Sequence, residues 1–131
     1  QQEHAFPTQC YESLEIGISV ERGLLYSRIE QRVDRMLAEG LLDEVSGLLS
    51  RGFGRELKAL RSIGYKESIA HLLGELTFDQ AANLIKRDTR HYAKRQLTWF
   101  KADPDILWFD YPENFATILN YVIEFFERWE A

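Results

Sequence analysis

The sequence predicts a mainly α-helical chain with two short strands. Three observations carry that expectation: apolar residues recur at helical spacing over most of the chain, strict two-residue alternation is confined to 14–20, and a compact apolar run occupies 106–110. At 45% hydrophobic and 13% aromatic, 131 residues can bury a core, which excludes a disordered tail. No apolar run is long enough for a membrane-spanning helix or a signal-peptide core. One cysteine, Cys10, excludes an internal disulfide framework and fits a reducing, cytoplasmic setting. The chain opens on Gln1, and its only methionine, Met36, lies inside a helical pattern. We therefore expect an artificial or processing boundary at Gln1, with further sequence upstream.

In residues 14–20, Leu14, Ile16, Ile18 and Val20 alternate with Glu15, Gly17 and Ser19, the period of a strand. From Arg22 to Glu39 the period lengthens, and Leu25, Ile29, Val33, Met36 and Leu37 form a helical stripe that Gly40 stops. A short helix follows over about 42–49, with Asp43 and Glu44 in the first turn, where the helix dipole favours acids. Residues 51–54 read as a loop, and 57–73 as helix interrupted near Ser62-Ile63-Gly64. Thr77-Phe-Asp-Gln80 is a capping box that should start a long helix running to about Lys101, where Pro104 bars continuation. The run 106–110 is expected to be a buried strand, and Pro112 to sit first in the closing helix. Phe115, Ile118, Leu119, Val122, Phe126 and Trp129 give that helix an apolar face, so 111–131 closes a single 1–131 piece. Two strands are too few for a self-sufficient sheet and imply further neighbours.

The net charge of −5 argues against a uniformly basic nucleic-acid binder, but the charge is uneven. Six Lys/Arg and one acid between Lys86 and Lys101 leave that window at +5 and the remainder at −10. On a helical wheel, Arg87, Arg90, His91, Lys94, Thr98 and Lys101 share an arc of roughly 100°. Ala81, Ile85, Tyr92, Ala93, Trp99 and Phe100 take the opposite side, where a core is expected. A solvated face is the commonest fate of surface charge, yet such faces alternate sign. Here Arg87 with His91, and Arg90 with Lys94, place like charges four apart, which favours an anionic partner.

A second cluster, Arg61-Ser62-Ile63-Gly64-Tyr65-Lys66, combines two cations, a glycine and an aromatic. Gly64 permits close backbone approach, and the helix start after it offers amides to a phosphate; an ordinary helix–loop–helix corner has the same composition. Arg28, Arg32 and Arg35 line another basic face, which Glu30, Asp34 and Glu39 lie close enough to neutralise. No catalytic constellation appears. His4, His71 and His91 lack metal-ligand spacing, and Asp103 and Asp105 around Pro104 read as a turn. Gly47-Leu-Leu-Ser-Arg-Gly52-Phe53 has a phosphate-loop glycine spacing but a phenylalanine where the lysine must stand.

Taken in order, Arg28-Ile-Glu-Gln-Arg-Val-Asp-Arg-Met36, Gly40-Leu-Leu-Asp-Glu-Val45, Ser62-Ile-Gly-Tyr-Lys-Glu67 and Thr89-Arg-His-Tyr-Ala-Lys-Arg-Gln-Leu-Thr-Trp-Phe100 resemble the tRNA dimethylallyltransferases, over about 14–110. The resemblance implies the C-terminal part of a P-loop-type α/β transferase whose two strands join the edge of a larger sheet. It implies an activity that moves a dimethylallyl group from dimethylallyl pyrophosphate to N6 of an adenine next to the anticodon, with Mg2+ at the leaving pyrophosphate. It implies tRNA contacts from Arg61 to Lys66 and from Lys94 through Arg95, Gln96, Leu97, Thr98, Trp99 and Phe100 to Lys101, which adjoin Arg87 and Arg90 on the ridge. A pyrophosphate contact from Arg28 or Arg32 is implied too. The family's nucleotide-type phosphate loop, its general-base aspartate and its threonine near the leaving group have no counterpart in these residues, so the chain alone is expected to be inactive.

The residues taken alone also admit a stand-alone helical RNA- or DNA-binding module, or a helical protein-interaction domain whose ridge meets an acidic partner. A Gly-x-x-x-x-Gly-Lys-Ser/Thr run upstream would separate the transferase from both.

Overall fold

The structure is a computed structural model that describes residues 12–130; Gln1, His4 and Cys10 lie outside the described residues. The order of elements is β1 (Glu15–Ser19), α1 (Arg22–Ala38), α2 (Leu41–Ser50), a 3-10 turn (Lys58–Arg61), α3 (Tyr65–Leu72), α4 (Phe78–Lys101), β2 (Ile106–Asp110) and α5 (Phe115–Glu130). A mainly helical chain with two strands is thus what forms. It divides into two units, one of Glu21–Trp99 and one joining the described residues through Val20 to those from Phe100 onward.

The helical unit is built by local signals. Glu21 caps α1, its carboxylate accepting from the Gly23 and Leu24 amides at 2.8 and 2.9 Å. Gly40, at φ +109°, turns the chain between α1 and α2, a conformation that costs glycine nothing and L side chains a good deal. At the start of α4 the capping box closes both ways: the Thr77 amide donates to Gln80 Oε1 at 2.9 Å and the Gln80 amide to Thr77 Oγ1 at 3.1 Å. The expected break in 57–73 is a 3-10 turn followed by Gly64, and α3 begins one residue later. Val33, Leu41, Val45, Leu60, Ile69 and Ile85 make the core, with Met36, Leu37, Leu48, Leu49, Ile63 and Tyr65 packed against it. Truncating Ile69 or Ile85 to alanine would cost about 2–5 kcal/mol.

In the other unit β1 and β2 pair in parallel, Glu15 opposite Ile106 and Ser19 opposite Asp110. Gly17 faces Trp108, and its missing side chain makes room for the indole: a Cβ there would lie 2.6 Å from the ring. The expectation of a buried β2 is not met. Leu107 is exposed and Trp108 only half-buried, because a two-stranded sheet offers each strand one neighbour and few covering side chains. Pro112 does not begin α5; it lies in a turn after a cis Tyr111–Pro112 bond, and the helix starts at Phe115. The Asp103–Asp105 segment is the turn expected, with Asp103 Oδ1 accepting from the Asp105 amide at 2.9 Å. On α5, Ile118, Val122 and Phe125 are half-buried, while Phe115, Leu119, Phe126 and Trp129 are exposed. The Tyr121 ring lies 5.4 Å from that of Phe109 on β2.

Candidate nucleic-acid interface

The segment 61–66 is held as a rigid corner. Ser62 Oγ donates to the Ala59 carbonyl at 2.8 Å, and Arg61 donates to the Arg55 and Glu56 carbonyls at 3.0 and 3.2 Å, tying down the preceding loop. Gly64 adopts φ +97°; its amide donates to Glu67 Oε2 at 2.7 Å, and its carbonyl accepts from Ser68 Oγ at 2.5 Å. The Lys66 amide is spent on the Ser62 carbonyl at 3.1 Å. Two amides at this helix start are therefore satisfied internally, while the Lys66 side chain is exposed. Tyr65 donates its hydroxyl to Glu44 at 2.8 Å, and that hydrogen bond, with burial adding, raises the phenol above its ordinary range. Ile63, Gly64 and Tyr65 also border a cleft of about 460 Å³ shared with Met36, Gly40, Leu41 and Glu44.

Behind the corner stands a buried acid that sequence reasoning passed over. Glu67 is 4% exposed, and its Oε1 has no hydrogen-bond donor. The Lys66 Nζ lies 3.6 Å from it and 3.5 Å from Asp88 Oδ2. Burial pushes the Glu67 carboxyl above the usual range, against the backbone amide hydrogen bonds and the Lys66 charge that pull it down. Partial burial pulls Asp88 the same way, but the hydrogen bonds from Arg87 and the charges of Lys66 and Arg87 hold it below its usual range. The signal was present in the sequence: in Gly64-x-x-Glu67 the acid stands at the third helical position, from which its carboxylate can reach back to the N-cap amide.

On α4 the predicted ridge separates into two stretches. In the first, Lys86 reaches Asp34 at 2.7 Å, Arg90 reaches Glu30 at 3.3 Å, and Arg87 turns to its neighbour Asp88 at 3.0 Å. In the second, His91, Lys94, Arg95, Gln96, Thr98 and Lys101 are exposed, and among the described residues Lys94, Arg95 and Lys101 form no ion pair. Thr98 returns its hydroxyl to the Lys94 carbonyl at 3.0 Å, and Leu97 is half-buried. The expected core side is found only at the start of α4, at Ala81, Ala82 and Ile85. Tyr92, Trp99 and Phe100 are 50%, 73% and 40% exposed, contrary to expectation, because no buried residue of α4 lies beyond Ile85.

The α1 arginines also differ from expectation. Glu30 and Asp34 do not neutralise Arg28, Arg32 and Arg35; they pair with Arg90 and Lys86 instead. At about 100° per residue these acids fall on the flank of α1 opposite the arginines. Arg28, Arg32 and Arg35 are thus exposed, without ion pairs among the described residues. Those residues contain no group of three or more His, Cys, Asp or Glu placed to hold a metal. Among them no helix is long and apolar enough to cross a membrane.

The family described as IPP transferase matches residues 1–103. The tRNA dimethylallyltransferase 1 of Pelobacter propionicus is 64% identical over 97% of this chain and 41% of its own length. The tRNA dimethylallyltransferase 2 of Geotalea uraniireducens is 59% identical over 95% of this chain and 40% of its own length. Among solved structures, the full-length tRNA isopentenylpyrophosphate transferase of Bacillus halodurans superimposes with a TM-score of 0.80 at 40% identity, covering 88% of this chain and 39% of that one. The tRNA delta(2)-isopentenylpyrophosphate transferase of Staphylococcus epidermidis gives 0.80 at 36% identity, over 90% and 39%. The chain therefore spans about two fifths of the length of these relatives.

Proposed function

The chain belongs to the IPP transferase family, and from that premise we propose that it is the tRNA-gripping part of a cytoplasmic tRNA dimethylallyltransferase. The reaction proposed for the whole protein joins a dimethylallyl group to N6 of an adenine beside the anticodon. A carbon–nitrogen bond forms, the carbon–oxygen bond to pyrophosphate breaks, and the N6 proton must go to a base. These 131 residues hold no phosphate loop, and we assign the base and the Mg2+-dependent steps to residues outside them. The share proposed here is binding. Lys66, Lys94, Arg95 and Lys101 contact phosphates of the anticodon stem-loop, while Arg61, Ser62, Ile63, Gly64 and Tyr65 hold the corner that presents Lys66. Gln96, Thr98, Trp99 and Phe100 complete the RNA-facing end of α4, and Arg87 and Arg90 continue it. Arg28 or Arg32 reaches the pyrophosphate of the prenyl donor.

The observation that carries this reading is the exposed set Lys94, Arg95 and Lys101, without ion pairs among the described residues, on a helix whose earlier cations are paired. Cations left in this state in an acidic chain suit an anionic partner. The test replaces all three with alanine in the full-length protein and measures affinity for an anticodon stem-loop. Weakening by at least tenfold at low salt is expected, since each lost phosphate contact also removes its counterion release. Unchanged affinity would remove α4 from the interface.

A further inference from the structure

We propose that Glu67 and Asp88 are positioning residues for Lys66, forming a carboxyl pair that takes up one proton when an RNA phosphate seats on Lys66. The inference rests on the reading of the 61–66 corner as an RNA contact and adds to it a means of regulation. Its geometry is that of two acids sharing one cation. Lys66 Nζ stands 3.6 Å from Glu67 Oε1 and 3.5 Å from Asp88 Oδ2, longer than a good hydrogen bond and so readily exchanged for a phosphate oxygen. Glu67 cannot turn away, because its other oxygen holds the Gly64 amide at 2.7 Å and the side chain is 4% exposed.

When a phosphate draws the ammonium outward, Glu67 Oε1 loses the one cation that pairs with it among the described residues, and it already lacks a hydrogen-bond donor. A bare buried carboxylate is costly, and the cheapest remedy is a proton, for which burial already raises the affinity of Glu67. Among the described residues, the cations paired with Glu67 and Asp88 are Lys66 and Arg87. Lys66 comes from α3 itself, and Asp88 from α4 with Arg87 bonded to it at 3.0 Å. Glu44 of α2 is already engaged by the Tyr65 hydroxyl. With Glu67 charged, Lys66 and Arg87 are balanced by two acids; with Glu67 protonated the cluster is left with one net positive charge to offer the RNA. Anion binding and protonation therefore favour each other, and by linkage RNA affinity falls as pH rises through the Glu67 transition.

The test compares the full-length wild-type protein with Glu67→Gln and Asp88→Asn. Affinity for an anticodon stem-loop is measured from pH 5.5 to 8.5, and proton uptake by calorimetry in two buffers of different ionisation enthalpy. The Glu67→Gln side chain keeps an oxygen for the Gly64 amide, so the corner should fold; matching thermal melts at low pH check this. Glu67→Gln should bind about two- to fivefold more tightly than wild type at the alkaline end, the range of a partly exposed ion pair relieved. It should lose the pH dependence and the proton uptake, and Asp88→Asn should lessen both. Wild-type pH dependence in Glu67→Gln, or wild-type binding without proton uptake, overturns the inference while leaving RNA binding by the corner intact. Absence of stem-loop binding in the wild type overturns the underlying reading and the inference with it.

Discussion

Replacing Gly64 with alanine isolates the cost of one backbone angle. A Cβ at this position would meet no atom within 4 Å, so the substitution introduces no clash and gains no contact. What remains is φ +97° with ψ −50°, outside the basins open to L residues. Holding alanine there costs about 1–3 kcal/mol of strain. A stiffer unfolded chain returns about 0.4–1 kcal/mol. The net loss is then about 1–2 kcal/mol, or a fall in Tm of about 3–10 °C for a chain of this size. Gly47→Ala supplies the control. That glycine also has nothing within 4 Å of a Cβ, but it lies inside α2, where alanine is preferred by about 0.5–1 kcal/mol. Urea denaturation of both variants should move in opposite directions. A neutral or stabilising Gly64→Ala would refute the claim that this corner depends on glycine's backbone.

Other outcomes follow from single contacts. Thr77→Ala should lower stability by about 0.5–2 kcal/mol in denaturant titration through loss of the α4 cap. Gly17→Val should destabilise the β1–β2 pair by about 1–3 kcal/mol, because its side chain must enter the space of the Trp108 ring; a shift in tryptophan fluorescence reports it. Lys86→Ala should leave the salt dependence of RNA binding unchanged, since Lys86 is tied to Asp34, whereas Lys94→Ala should reduce the slope by about one unit. In stability against pH, Glu67 should contribute most below its unfolded value near 4.5 and lose that contribution as pH rises through its raised folded value. Glu67→Gln should remove this decline, which melts across the range would record.

The local signals were legible in sequence because they act over a few residues: the Thr77–Gln80 box, the Gly40 stop, the alternation around Ile16 and Ile18, and the Asp103–Asp105 turn. What escaped depends on distant partners. Glu30 and Asp34 were matched with arginines nearby on their own helix, but their partners lie on α4, sixty residues away for Glu30 and Arg90. A helical wheel gave the faces of α4 without showing how far along it the core extends, so Tyr92 and Trp99 were expected inside. Glu21 lies outside the usual capping residues, and its use as one was not read. Glu67 was not singled out in the sequence, because its burial and the nearness of Asp88 to the same Lys66 ammonium depend on the fold. The cationic clusters at 61–66 and 94–101 were visible as composition; which of their cations are already paired was not.

Under the function proposed above, this chain grips RNA through phosphates and leaves prenyl transfer to residues outside it. The most direct measurement is the affinity of the 131-residue chain for cognate and non-cognate anticodon stem-loops across a range of salt concentrations. Lys66 and the α4 cations Lys94, Arg95 and Lys101 predict that log affinity falls with log salt at a slope of about −3, equally for both RNAs. A slope near zero, or salt-sensitive binding confined to the cognate RNA, would contradict the account.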